Sequence, residues 1–407
     1  MKGYEYHTLN NGIRIIHNRV EGKVAHLGII INTGSRDEKQ NEHGIAHFIE
    51  HVIFKGTYKR KAYHIISRME DVGGEIDAFT TKEETTIYSA FLTEYYNRAV
   101  ELLADIVFNS SFPERELEKE KEVILDEINS YKDSPAELIF DDFEDMIFKG
   151  HPIGRNILGE PKSLKKYTRE NLLSFVKNNY HTDQMVICSV GDIKFSSLVK
   201  WVEKYFGIYK PNLRKSRRQV LNGYAATNIQ IKKETYQAHC ILGDRAYDIT
   251  DKKRLSLELL NNILGGPGMN SRLNLALREK HGVAYNIESF YTPYTDTGIV
   301  GIYFGTDEEK IERSLRIIKK ELKLLQTKPL GILQLERAKK QLMGQIAISA
   351  ENKSNLMLNI GRSYLLFNKV DTLDEAYKKI NALTSNQIAD AANEIYDFSK
   401  LSMLTYL

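Results

Sequence analysis

The run EHGIAHFIEHV, from Glu42 to Val52, sets His47, Glu50 and His51 in the pattern H-x-x-E-H. On a helix, positions i, i+3 and i+4 share one face. Two imidazoles and a carboxylate therefore converge, while Phe48, Ile49, Val52 and Ile53 are left to pack elsewhere. This is the chemistry of a zinc site with a base beside it. Two histidines do not close a catalytic zinc site, which takes three protein ligands and a water. The motif predicts a third ligand, a carboxylate or histidine from distant sequence. His7, His17, His64, His151, His181 and His281 have no metal-like spacing and read as structural or surface groups.

The elements that must position this face occur twice. Val24-Ala-His-Leu and Gln237-Ala-His-Cys begin similar strands 213 positions apart, and Phe91-Leu-Thr93 and Phe304-Gly-Thr306 keep the same spacing. Each half reads as strands, a helix ending at a glycine-containing turn, more strands, then amphipathic helices such as 94–108 and 307–325. Such segregated runs predict an α+β fold of two homologous sandwich domains, mostly antiparallel sheets with helices packed on them. The predicted division is 1–210, a basic linker at 211–223, and 224–407. The boundary region contains KPNLRKSRRQ, 210–219, with a proline and no apolar periodicity.

The repeat is also an internal control. At the same spacing, His47, Glu50 and His51 become Leu260, Ile263 and Leu264, so only the first half can hold a metal. The helix ELEKEKEVILDEI, 116–128, matches QLERAKKQLMGQI, 334–346, where Glu127 becomes Gln345 and Glu120 becomes Ala338. Loss of both carboxylates together with the histidines groups Glu120 and Glu127 with the H-x-x-E-H helix. Glu120 and Glu127 lie two turns apart on one face with Ile124 between them, and Glu127 is the best candidate for the third ligand.

The segments GIAHFIEHVIFKGT, GGEIDAFTTKEETTIY, EKEKEVILDEI and SRLNLALREKHGVAY resemble the inverzincin metallopeptidases, the pitrilysin and insulin-degrading-enzyme family. The likeness is to the short two-domain type, the mitochondrial processing peptidases and their bacterial homologues. It implies that fold and a zinc endopeptidase of the EC 3.4.24 type acting on peptides or unfolded segments. One zinc per chain would be held by His47, His51 and Glu127, the last separated from His51 by 75 residues as the family spacing requires. Glu50 would be the general base, and Glu120 would orient a ligand histidine. Arg278 and Tyr285, seven apart after the Gly265-Gly-Pro-Gly268 loop, match the family's substrate-contacting pair. Substrate would add as a strand beside Asp77, Ala78 and Phe79. Family members carry four such domains around a chamber, so a homodimer is implied, the second domain of one chain facing the zinc of the other. Two alternatives stay open: a catalytically silent scaffold subunit of the same fold, and a heterodimer subunit active only with its partner. His43 is assigned a helix-entry or pocket role.

Composition sets the outer bounds. A formal net charge of +3, from 57 basic and 54 acidic residues, argues against nucleic acid as the partner. There is no G-x-x-x-x-G-K-[ST] motif and no G-x-G-x-x-G after a strand, which argues against phosphate binding. Cys188 and Cys240 sit in apolar strand-like runs and read as buried thiols. No run approaches a membrane span and the N-terminus lacks an apolar signal segment, so the expectation is a cytoplasmic protein without membrane contact.

Overall fold

The computed structural model describes residues 3–215, 217–221, 223–233 and 235–407. It divides into two compact units, each discontinuous in sequence: 1–129 with 155–219 and 348–372, and 130–154 with 220–347 and 373–407.

The first unit is built on six strands: β1 (Glu5–Thr8), β2 (Arg14–Arg19), β3 (Val24–Ile31), β4 (Glu75–Thr80), β5 (Thr85–Leu92) and β6 (Met185–Gly191). Their order is β1-β2-β6-β3-β5-β4, with β2 and β6 parallel and all other neighbours antiparallel. The runs are rich in β-branched residues, and strand alternation gives the sheet two apolar faces. Leu27, Ile29 and Ile31 of β3 join one core with Phe48, Ile49 and Val52 of helix α1 (Ile45–Val52) and with Ile124 of helix α2 (Glu114–Lys132). Ile30, on the opposite face, joins Val186, Cys188 and Val190 in a second core completed by Met357, Ile360 and Tyr364 of the Lys353–Phe367 helix. That helix approaches closely: a Cβ at Gly361 would lie 2.7 Å from the Cys188 sulfur.

The second unit repeats the plan with β7 (Asn228–Ile231), β8 (Ala238–Ala246), β9 (Ile287–Pro293), β10 (Gly298–Thr306) and β11 (Ser402–Tyr406), in the order β7-β11-β8-β10-β9. One face packs on helix α3 (Arg254–Gly265), where Leu260 and Leu264 are fully buried at the positions equivalent to His47 and His51. The other face, with Ile241, Ile299, Tyr303 and Leu404, is covered by Ile139, Phe143 and Ile147 of the Pro135–Ile147 helix.

The two-domain α+β architecture with mostly antiparallel sheets is therefore present. The units are not the contiguous blocks 1–210 and 224–407, however, because the 135–147 helix packs on the second sheet and the 353–367 helix on the first. The segment 211–223 also differs from a spacer: Arg214 and Arg218 are ion-paired to Asp37 of the first unit. Ser216 and Asn222 of that segment lie outside the described residues. Both cysteines are buried and free.

Candidate metal centre

Helix α1 begins after Gly44, whose φ of 89° is a left-handed conformation that glycine adopts without cost. The helix buries Phe48, Ile49 and Val52 in the first core, which turns His47 and His51 toward α2. The imidazole Nε2 atoms of His47 and His51 lie 3.8 and 3.3 Å from Glu127 Oε2. One donor atom from each residue falls within 4.8 Å of the other two. Ligands bound at 2.0–2.1 Å in a tetrahedron stand about 3.3 Å apart, so the separations fit one zinc ion. The donor set of two imidazoles and one carboxylate leaves a fourth position open, the composition of a catalytic rather than a structural site.

The surrounding groups set protonation. Burial, with His51 adding to it, pulls His47 down to about 3, which leaves the neutral imidazole that a metal ligand must be. His51 Nδ1 faces Glu120 Oε2 at 3.4 Å and Nε2 faces Glu127 Oε2 at 3.3 Å, so the tautomer with its proton on Nδ1 would donate to Glu120 and leave Nε2 to a metal. The other oxygen of Glu120 is held by Lys55 Nζ at 2.6 Å. His47 Nδ1 is buried without a hydrogen-bond partner. Glu50 stands outside this group of three. Burial pushes its carboxyl above the usual range and the Glu127 charge adds to that, while Thr80 and His51 oppose it. A carboxyl shifted upward in this way is a better proton acceptor than an ordinary one.

Strand β4 carries Asp77, Ala78 and Phe79 and is the outermost strand of its sheet, paired among the described residues with β5 alone. It packs beside α1. Asp77 accepts from the Tyr88 hydroxyl at 3.0 Å and from the Ala78 amide at 2.8 Å, which fixes the side chain; among the described residues no strand pairs with the outer edge of β4. His43 does not join the ligands: its Nε2 pairs with the Asn156 carbonyl at 2.8 Å, bracing the entry to α1.

Arg278 and Tyr285 belong to the second unit, where both line a cavity of about 620 Å³ together with Phe140, Met269, Glu288 and Tyr303. Arg278 rides on a wide π-helical turn, Asn274–Lys280, a geometry found often at functional sites. Tyr285 is 66% exposed, so its hydroxyl is available to a ligand. Tyr303 is fixed by its hydroxyl contact to His239 Nδ1 at 2.8 Å and by the ring of Phe140.

Residues 14–161 match the family described as Insulinase (Peptidase family M16), and residues 166–342 match its partner, described as the Peptidase M16 inactive domain. The chain belongs to peptidase family M16. A chain from Bacillus subtilis named an uncharacterized zinc protease, YmxG, is 34% identical over 391 residues, covering 96% of this chain and 95% of that one. An uncharacterized zinc protease of Rickettsia bellii is 32% identical, covering 98% and 97%. Two crystal structures share the fold at a TM-score of 0.92 and 21% identity: a protease from Helicobacter pylori, covering 99% of both chains, and an M16 inactive domain from Pseudomonas fluorescens, covering 100% and 98%. The description of the second M16 domain as inactive agrees with the leucines at its positions equivalent to His47 and His51.

Sequence reasoning did not find Lys55, which clamps Glu120, or the phenylalanine and tyrosine walls of the Arg278 cavity. Their partners are distant in sequence and carry no spacing signature. No helix among the described residues is long and apolar enough to cross a membrane.

Proposed function

We propose that this chain is a zinc-dependent endopeptidase that hydrolyses peptides or unfolded segments. The observation that supports it best is the convergence of His47, His51 and Glu127 with Glu50 raised beside them but outside the triad. The bound zinc would supply a water of lowered pKa and polarise the scissile carbonyl. Glu50 takes the proton from the attacking water and returns it to the leaving amine. Glu120 holds His51 in the tautomer that offers Nε2. The backbone of β4 receives the substrate as an added strand, which favours extended chains over compact ones. Arg278 holds a substrate carbonyl, and Tyr285 donates to the oxyanion. Because the zinc residues and the Arg278/Tyr285 pair are both present in one chain, a homodimer is the proposed assembly.

The test is Glu50→Gln against wild type. The variant is expected to keep its zinc and fold while cleavage of a quenched peptide library disappears. A Glu50→Gln protein that cleaves at the wild-type rate removes Glu50 as the base, and a zinc-loaded wild type that cleaves no peptide, alone or as a dimer, removes the peptidase reading.

A further inference from the structure

Gly44 has no side chain with which to cap α1, yet the amides at the start of the helix are not unpaired. Glu38, six residues upstream and only 2% exposed, reaches them: Oε2 accepts from the Gly44 amide and Oε1 from the Ala46 amide, each at 2.9 Å. Both oxygens accept from backbone amides, so the Glu38 side chain caps the helix in place of the missing Gly44 side chain. Ala46 immediately precedes His47. A shift of Glu38 is thus transmitted to the first ligand through a single peptide unit.

Glu38 is itself held from two sides. The Arg155 guanidinium donates to the Glu38 carbonyl at 2.5 Å and to the Lys39 carbonyl at 3.0 Å, and the Arg155 carbonyl accepts from Lys82 Nζ at 2.7 Å. On the other side the neighbouring Asp37 receives Arg218 in a two-pronged contact, Nε to Oδ1 at 3.0 Å and Nη2 to Oδ2 at 2.8 Å. Arg214 Nη2 adds a bond to Oδ1 at 2.6 Å. Arg218 and Arg36 both pair with Glu83, at 3.1 and 2.7 Å. Two-pronged arginine–carboxylate pairs fix orientation as well as distance. The loop before α1 is closed again at its far end, where a Cβ on Gly44 would sit 2.6 Å from the Gly159 Cα.

We propose that Glu38 is a positioning residue for the metal helix, and that Asp37, Arg214 and Arg218 keep it in place, so that the two arginines act as a strap on the metal site. This rests on the reading of His47, His51 and Glu127 as metal ligands. It adds residues, and a function for the segment between the repeats, that the ligand motif does not contain.

The test uses the full-length chain and zinc alone as probe. Glu38→Gln keeps the shape but replaces one acceptor with an amide group facing an N–H, and Arg218→Ala removes the two-pronged half of the strap while leaving Glu38 intact. Both are expected to bind zinc about tenfold more weakly in competition with a chromophoric chelator, the scale of losing a helix cap or an outer partner of a ligand. Amides 44–48 are expected to lose hydrogen-exchange protection, and kcat to fall with KM unchanged. Arg218→Lys, which keeps the charge without the fork, should recover part of the loss. Asn11→Ala, which removes buried bonds to the Phe206 and Tyr209 carbonyls, lowers stability in the same unit and should leave zinc affinity at the wild-type value. Folded Glu38→Gln and Arg218→Ala proteins with wild-type zinc affinity and wild-type exchange overturn the proposal, as does an Asn11→Ala protein that weakens zinc equally. If Glu38→Gln does not fold, the Arg218 pair decides. A wild type that binds no zinc defeats the metal reading instead, and is distinguished by that result.

Discussion

Glu120 gives the account a prediction with a worked magnitude. Its two oxygens serve two donors: Oε2 faces His51 Nδ1 at 3.4 Å and Oε1 takes Lys55 Nζ at 2.6 Å. Glu120→Gln keeps the length and shape but leaves one acceptor where two are needed, and presents an amide donor to a donor. The shorter, charged Lys55 contact takes the remaining oxygen, so His51 loses the partner that fixes its tautomer. Loss of such a partner costs roughly tenfold to a hundredfold in metal affinity, and the expectation here is near tenfold, or about 1.4 kcal/mol. The assay is chelator competition at neutral pH. The decisive arm is the double variant with Lys55→Met. Without the lysine, the single amide oxygen is free to accept from His51, so Glu120→Gln/Lys55→Met should bind zinc more tightly than Glu120→Gln alone, a coupling read from the mutant cycle. Wild-type affinity in Glu120→Gln, or no recovery in the double variant, refutes the role given to Glu120.

Two further outcomes are expected. If Arg278 and Glu50 act at one site drawn from two chains, Glu50→Gln and Arg278→Ala chains reassembled together should regain on the order of a quarter of wild-type peptide cleavage, from mixed dimers with one intact site; dimers confirmed as mixed by mass but inactive refute a shared site. Burial pulls His17 down to about 4, the backbone near Ile193 and Ser189 opposing it and Arg19 adding to it. The ring is thus neutral in the fold, whereas the unfolded chain takes up a proton below about 6.5. Its contribution is therefore complete above pH 6.5 and is lost as pH falls toward 4, on the order of 3 kcal/mol in all. Urea unfolding of His17→Gln should show a shallower fall across that window, and a fall as steep as the wild type's refutes the assignment.

What could be read from the chain was local or periodic. The face of α1 follows from i, i+3 and i+4 spacing, and the two-turn spacing of Glu120 and Glu127 puts both on the side of α2 that meets it. The duplication of strands and the burial of Leu260 and Leu264 follow from the same arithmetic. Amphipathic periodicity tells that a helix buries one face but not which sheet it covers. That is why the exchange of the 135–147 and 353–367 helices between units, and hence the true limits of each unit, lay beyond it. Glu38 was hidden for a related reason: it caps a helix from six residues away across a loop, beyond the spacing of a capping box. Arg214 and Arg218 read as part of a basic linker because their acceptor, Asp37, is far away in sequence.

The central claim is that His47, His51 and Glu127 hold zinc while Glu50 does not, and zinc content by elemental analysis after dialysis tests it most directly. Wild type and Glu50→Gln should each retain one zinc per chain, whereas Glu127→Gln, which loses a charged ligand but not the fold, should retain little or none. Glu127→Gln carrying the same zinc as wild type would contradict the account.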